Sequence, residues 1–406
     1  NKLEEAVRSY RKAIEIDPKF LEILYSLGLV YMSLGHVDDA FSSLRKAVRE
    51  NPQDGKAWGA WAECLAAFPF ASVDDDLFED LTNMLDQPAV SPRPLANPIL
   101  RALRKNPEFS KILEFVNDNK TAHQASYREV AEKLSAIPLL IKLMGLCSFD
   151  DLEIENTFTS LRRLMIGEVL DEKVQESGLA FAAALANQCF ANEYVYSESS
   201  EEKIAVDGLE KRLMQNLEDN LDVPPFWVAA MGAYRALHSF SWADKLLERE
   251  WPDGVQTVIT RQVVEPNEEH DLRLQMPHIT PIDGEVSKAV RAQYEANPYP
   301  RWIKTGLRES GLPIGKVLRQ IQLPINFARY NFPENPKILI AGCGTGQHAI
   351  STASRFSNSR VSAVDLSLSS LGYAARKTRE LGLSNIDYGQ GDILELASMK
   401  RQFDII

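Results

Sequence analysis

Lys337-Ile338-Leu339-Ile340-Ala341-Gly342-Cys343-Gly344-Thr345-Gly346 runs from apolar residues directly into a loop with glycine at every second position. A helical pattern from Gln347 through Phe356 follows, so the order is strand, tight turn, helix. A continuous apolar run suits a parallel strand buried on both faces, and glycines let a turn approach a ligand without interference from Cβ. The helix beyond offers free N–H groups to a polar or anionic ligand. A second apolar segment, Val361-Ser362-Ala363-Val364, ends in Asp365, nineteen residues after Gly346. An acidic side chain there can accept hydrogen bonds from both hydroxyls of a ribose.

The loop by itself leaves the ligand open. Read from Gly342 it departs from the dinucleotide pattern, because Gln347 stands where the third glycine belongs. Read from Gly344, the series Gly344, Gly346, Ala349 satisfies the permissive form. The following residues narrow the choice. Asp365-Leu366-Ser367 leads into a helical run from Leu368 to Leu381, and Ile386 to Ile393 supplies a third strand ending in Gly391-Asp392. A carboxylate leaving that strand can accept from an exocyclic adenine amine.

Over these residues, about the last 70 of the chain, the sequence resembles the class I S-adenosylmethionine-dependent methyltransferases. The resemblance implies that Gly342, Gly344 and Gly346 lie along the methionine part of S-adenosylmethionine. It implies Asp365 on the ribose, and Asp392 on the adenine with the Ile393 backbone beside it. Phe403-Asp404-Ile405-Ile406 reads as the opening of a fourth strand. Residues 337–406 are therefore expected to be the cofactor half of a Rossmann-like α/β domain. The residues facing the transferred methyl are expected after Ile406, and no catalytic base is assigned.

A second pattern opens the chain. Ala6, Tyr10, Ala13 and Pro18 recur thirty-four residues later as Ala40, Leu44, Ala47 and Pro52. Leu24, Leu27, Gly28 and Tyr31 recur in the same phase as Trp58, Trp61, Ala62 and Leu65. Over residues 1–67 this resembles the tetratricopeptide repeat, with Ala62 in place of the usual glycine. Small residues at fixed positions let paired helices approach closely, and such arrays bind peptides or partner proteins. The array is expected to begin upstream of Asn1.

Between the two patterns, residues 68–99 read as a linker with a proline-rich run from Gln87 to Pro98, and residues 100–275 as a helical domain. Ser199 and Glu202 fit a capping box, Pro224-Pro225 opens another helix, and Thr157 to Leu170 and Leu179 to Tyr196 share helical spacing. The stripe of Phe181, Leu185, Phe190 and Tyr194 reads as core packing. Residues 276–336 form a linker and N-terminal extension to the α/β domain. Its stiff segment Tyr294-Glu295-Ala296-Asn297-Pro298-Tyr299-Pro300-Arg301-Trp302 either covers the cofactor as part of a lid or anchors through Tyr299 and Trp302. The succession of repeats, helical middle and methyltransferase module resembles bacterial proteins of that arrangement.

The formal charge of −12 argues mildly against non-specific binding to nucleic acid or anionic membrane. Residues 285–406 hold 16 Lys and Arg against 10 Asp and Glu, a surplus of six, so residues 1–284 carry −18. Cys64, Cys147, Cys189 and Cys343 stand far apart and suit reduced thiols in a cytoplasmic protein. Cys343 is expected to be a small filler in the loop. The histidines are scattered, no metal spacing is present, and no segment is long enough to span a bilayer. The expectation is a methyltransferase with repeats that recruit a protein or peptide partner, its methyl acceptor unassigned. An interaction adaptor with a degenerate methyltransferase module and a nicotinamide-dependent oxidoreductase remain open alternatives.

Overall fold

The thirty-four-residue pattern becomes the successive helices Lys2–Ile16, Leu21–Leu34, Val37–Glu50 and Gly55–Ala67. They belong to a computed structural model that describes residues 2–17, 21–70, 73–117, 126–171, 177–296, 298–307, 310–320 and 331–406. Pro18 and Asn297 lie outside the described residues. The small-residue positions are where the helices meet. A Cβ at Gly28 would stand 2.5 Å from Leu44 Cγ, and Ala40 and Ala47 are buried. Asp54 caps Gly55–Ala67 by accepting from the Lys56 and Ala57 N–H groups.

Within residues 68–99 stands a further helix, Asp75–Asp86, whose Leu77, Leu81, Met84 and Leu85 are buried at helical spacing. Arg45 donates to Asp74 and, over 2.6 Å, to Asp80, which Arg49 also reaches. Contacts divide the chain into Asn1–Leu185 with Lys304–Gly306, and Ala186–Ile303 with Leu307–Ile406.

In the second unit the capping box forms. Ser199 Oγ accepts from Glu202 N–H, and Glu202 Oε2 accepts from Ser199 N–H. The helix opened by Pro225 stops at Gly232, and Tyr234 and Leu237 are buried in the turn beyond it. The stripe read as core is buried at Phe181, Leu185 and Phe190. Beyond it the Leu179–Ala191 helix ends, with Glu193 and Tyr194 at φ 58° and 55°. A π-turn at Thr260–Val264 leads into α1, Glu265–Leu274. Fully buried Gln262, in that turn, donates to the Ala186 and Gly232 carbonyls and accepts from Tyr194 Oη and Leu237 N–H. After α1 comes α2, Glu285–Ala296.

The α/β part follows as β1 Lys337–Ala341, α3 Gln347–Arg355, β2 Arg360–Asp365, α4 Leu368–Glu380 and β3 Ile386–Gln390. The strands are parallel in the order β1-β2-β3, with Ile340 opposite Ala363 and Val364 opposite Gly389. Ile405 bridges Ile338 in parallel on the outer side of β1, so the chain crosses over there. On the opposite edge, Ile279 N–H donates to Gln390 O and Gln390 N–H to Pro277 O, pairing the backbone that β3 would otherwise leave open. Ile338, Ile340, Val361 and Ala363 form the core with Ala349 and Ala353 of α3 and Leu371 of α4.

α1 lies against α4 so closely that a Cβ at Gly372 would stand 2.6 Å from Glu269 O. Buried Arg376 of α4 pairs there with Glu265, Glu269 and Glu380 at 2.9, 2.7 and 3.0 Å. Removing the cation alone leaves the part-buried Glu265 and Glu269 carboxylates uncompensated. Arg376→Ala is therefore expected to cost about 3–5 kcal/mol in urea unfolding of the second unit. A loss below about 1 kcal/mol would class this cluster with exposed surface pairs.

Candidate cofactor site

Gly342, Gly344 and Gly346 all take the left-handed backbone, with φ 72°, 52° and 84°. The alternating glycines are thus a conformational requirement, since a side chain at positive φ is strained. Their surroundings differ. A Cβ at Gly346 would stand 2.5 Å from Ala374 Cβ and 3.0 Å from Tyr388 Oη, so this glycine also lets α4 pack against the loop. A Cβ at Gly342 or Gly344 would meet nothing within 4 Å. Those two therefore present bare backbone to open space at the carboxyl end of β1.

The loop is tied to the end of β2. Gly342 and Cys343 N–H both donate to Val364 O, and Gly344 N–H donates to Asp365 Oδ2 over 2.8 Å. Asp365 Oδ1 accepts from Ser367 N–H over 3.0 Å, and Gly391 N–H donates to Asp365 O. The half-buried Asp365 carboxylate thus accepts from the backbone at each oxygen. A carboxylate has about four acceptor sites, so it can still accept from a ligand.

These hydrogen bonds bring the glycine loop, Asp365 and the Gly391-Asp392 turn together at one end of the sheet. Asp392 is buried, and its Oδ1 accepts from Leu394 N–H to cap the 3₁₀ turn Ile393–Met399. Its N–H donates to Thr280 Oγ1 over 2.7 Å. Ile393 is 48% exposed at the lip. Gln390 Nε2 donates to Leu366 O, joining the β3 end to the turn after β2. Thr280 and Gln390 also line an open cavity of about 520 Å³ with His278, Ile279, Pro281, Ile282 and Arg291.

Cys343 is buried, its Sγ 3.7 Å from Gly344 O. Burial first, and then the Asp365 charge, pushes its thiol well above the usual value, which removes nucleophilic character. That agrees with a filler. Of the two aromatic residues expected in the stiff segment, Trp302 is buried and Tyr299 is 49% exposed. Trp302 Nε1 donates to Thr345 O over 3.0 Å, and Thr345 Oγ1 donates to Pro300 O over 2.9 Å. Tyr373 Oη donates to Trp302 O, and the Lys377 ammonium sits 5.0 Å from the indole centroid. The segment thus anchors on the glycine loop from outside through Trp302.

Sequence reasoning missed Thr280, Gln390 and Thr345 as supports of the site, and Glu295, which accepts from the N–H groups that open α4. Their partners lie 24 to 112 residues away, and no local spacing marks them.

Comparison with known proteins agrees with both ends of the chain. A family model described as a methyltransferase domain matches residues 338–406. A TPR repeat model matches residues 1–35, and a tetratricopeptide repeat model matches residues 21–54. Tetratricopeptide repeat protein 7A of Homo sapiens is 38% identical over 65 residues, a stretch covering 16% of this chain and 8% of that protein. The chain carries tetratricopeptide repeats at its N-terminal end and a methyltransferase domain at its C-terminal end.

All four cysteines are buried, and none of them is in a disulfide. Burial pushes Cys64 up to about 11 and Cys147 up to about 12, so at pH 8 their thiolate fractions fall below that of an exposed thiol. With a disulfide-exchange reagent at pH 8, native protein is expected to release almost no chromophore. Denatured protein should react at every thiol, and rapid labelling of native Cys343 would contradict the buried-filler assignment.

Proposed function

We propose that this protein is a cytoplasmic S-adenosylmethionine-dependent methyltransferase whose tetratricopeptide repeats recruit a protein or peptide partner. The observation that carries the reading is the half-buried Asp365 carboxylate, held by Gly344 N–H beside a glycine backbone that faces open space. Bare backbone suits close approach by an extended chain such as the methionine part of the cofactor. Asp365 retains acceptor capacity for the ribose hydroxyls. Asp392, with the Ile393 backbone beside it, takes the adenine end, and exposed Ile393 offers apolar surface to the base. Gly346 keeps the loop seated on α4. Among the described residues no helix is long and apolar enough to cross a membrane. Four buried cysteines outside any disulfide suit a reducing compartment.

The neighbouring charges weigh against a phosphorylated dinucleotide. Asp365 stands at the end of β2, and the Glu295 carboxylate lies on the opening N–H groups of α4. Together they disfavour a 2′-phosphate at that place. Bound here, S-adenosylmethionine would supply an electrophilic methyl on a sulfonium centre. The residues of this chain bind and orient it, and alignment with the acceptor accounts for much of the rate in such a displacement.

S-adenosylhomocysteine is expected to raise the unfolding temperature of the full-length protein, whereas NADH is expected to leave it unchanged. By calorimetry, Asp365→Ala should weaken S-adenosylhomocysteine binding by about 1.5–3 kcal/mol through loss of hydrogen bonds to a charged acceptor. Stabilisation by NADH alone would transfer the site to the oxidoreductases. Stabilisation by neither would favour an adaptor.

A further inference from the structure

The last turn of α2 ends on the first turn of α4, far from it in sequence but next to it in space. Glu295 Oε1 accepts from Leu368 N–H over 2.8 Å, and Oε2 accepts from Ser369 N–H over 3.0 Å. The Ser369 hydroxyl donates to the same Oε2 over 2.8 Å. The third opening N–H of the helix, from Ser370, goes to Ser367 Oγ, and that hydroxyl donates to Tyr294 O. Each of the first three N–H groups of α4 is therefore taken, two of them by one carboxylate from another element. An anion at this end of a helix is also favoured by the helix dipole.

The same turn carries Asp365. Ser367 N–H donates to Asp365 Oδ1, and Gly344 N–H to Asp365 Oδ2, so Ser367, Asp365 and Gly344 are hydrogen-bonded in series, and Leu368, which Glu295 caps, is the next residue in the chain after Ser367. A few residues on, Pro300 and Trp302 bond to Thr345 of the glycine loop, and Arg301 pairs with Glu193 at 2.6 Å. Tyr294 and Glu295 therefore hold the turn after β2, while Pro300 and Trp302 hold the glycine loop. A carboxylate in a mobile turn would lose orientation toward a ligand, whereas one whose turn is capped from outside is preorganised.

We propose that Glu295 is a positioning residue for the cofactor pocket: by capping α4 from outside the α/β domain, it fixes the turn that aims Asp365. This rests on the cofactor reading above. The effect travels through Asp365 and requires no contact between Glu295 and the ligand.

The test is calorimetric titration of S-adenosylhomocysteine into full-length wild type, Glu295→Ala, Glu295→Gln, Ser369→Ala, Asp365→Ala and Glu295→Ala with Asp365→Ala. Amide exchange of each protein is followed alongside. Glu295→Ala is expected to weaken binding about tenfold, the loss of one charge-assisted hydrogen bond in orientation. Glu295→Gln, which keeps an acceptor for Leu368 N–H, should recover most of that loss. Ser369→Ala should act in the same direction by a smaller factor. In the Asp365→Ala background the Glu295→Ala effect should vanish, which a general weakening of the fold would not produce. Without ligand, Glu295→Ala should speed exchange of the Ser367 and Gly344 amides. Full affinity in both Glu295→Ala and Ser369→Ala, or equal effects in the two Asp365 backgrounds, would overturn the proposal. If wild type binds no S-adenosylhomocysteine, the cofactor reading fails by itself. Amide exchange then decides about the positioning role, and unchanged rates at Ser367 and Gly344 would end it.

Discussion

The hydrogen bond from Gly344 N–H to the Asp365 carboxylate, 2.8 Å long, joins the two loops on which the candidate site depends. It exists because the backbone at Gly344 turns to φ 52°, a conformation costly for residues with a side chain, and so aims an N–H at the next strand. The geometry of β1 and β2 makes it possible. Their parallel pairing sets Ala341 opposite Val364, so the chain leaving β1 arrives beside the residue that ends β2. An acidic residue there accepts from the loop with one oxygen and from Ser367 with the other. A site of this kind is held by backbone donors, which do not rotate away as side chains do, and that rigidity is what precise orientation of a ligand needs.

The loops do not support themselves. Helix α4 carries the turn after β2, and its position is set on one side by the Arg376 cluster with α1 and on another by the contacts of Trp302 with Tyr373 and Lys377. The helical residues before the sheet are therefore part of the α/β unit. The cluster also explains a buried arginine in an α/β helix, since three carboxylates around a guanidinium offset much of its cost of burial. Pro277 to Ile279 close the outer edge of β3, which removes one row of unpaired backbone groups from solvent.

The repeat unit follows another logic. Its helices meet through small residues at fixed intervals, as Gly28 against Leu44 illustrates, and each element depends chiefly on its neighbour. Helix Asp75–Asp86, which packs against the Pro138–Met144 helix, lies beyond the recognisable repeats. Arg45 and Arg49 reach it with charge-assisted hydrogen bonds to Asp74 and Asp80, a connection independent of the repeat pattern.

Sequence alone determined the elements whose cause is local. Four of these were legible: the apolar run into alternating glycines, the acidic residue closing the second strand, the thirty-four-residue phase of the repeats, and the Ser199–Glu202 capping box. Each reflects a backbone angle, a periodicity or a hydrogen bond within a few residues, which residue type and spacing encode directly. Tertiary structure alone decided that Glu295 caps α4, that Thr280 holds Asp392, that Trp302 seats on Thr345 and that Arg376 meets Glu265 and Glu269. It also decided that Gly346 is bare for packing while Gly344 faces open space. These follow from which distant segments the folded backbone brings within hydrogen-bonding reach. A residue's own neighbours in sequence place no constraint on that encounter.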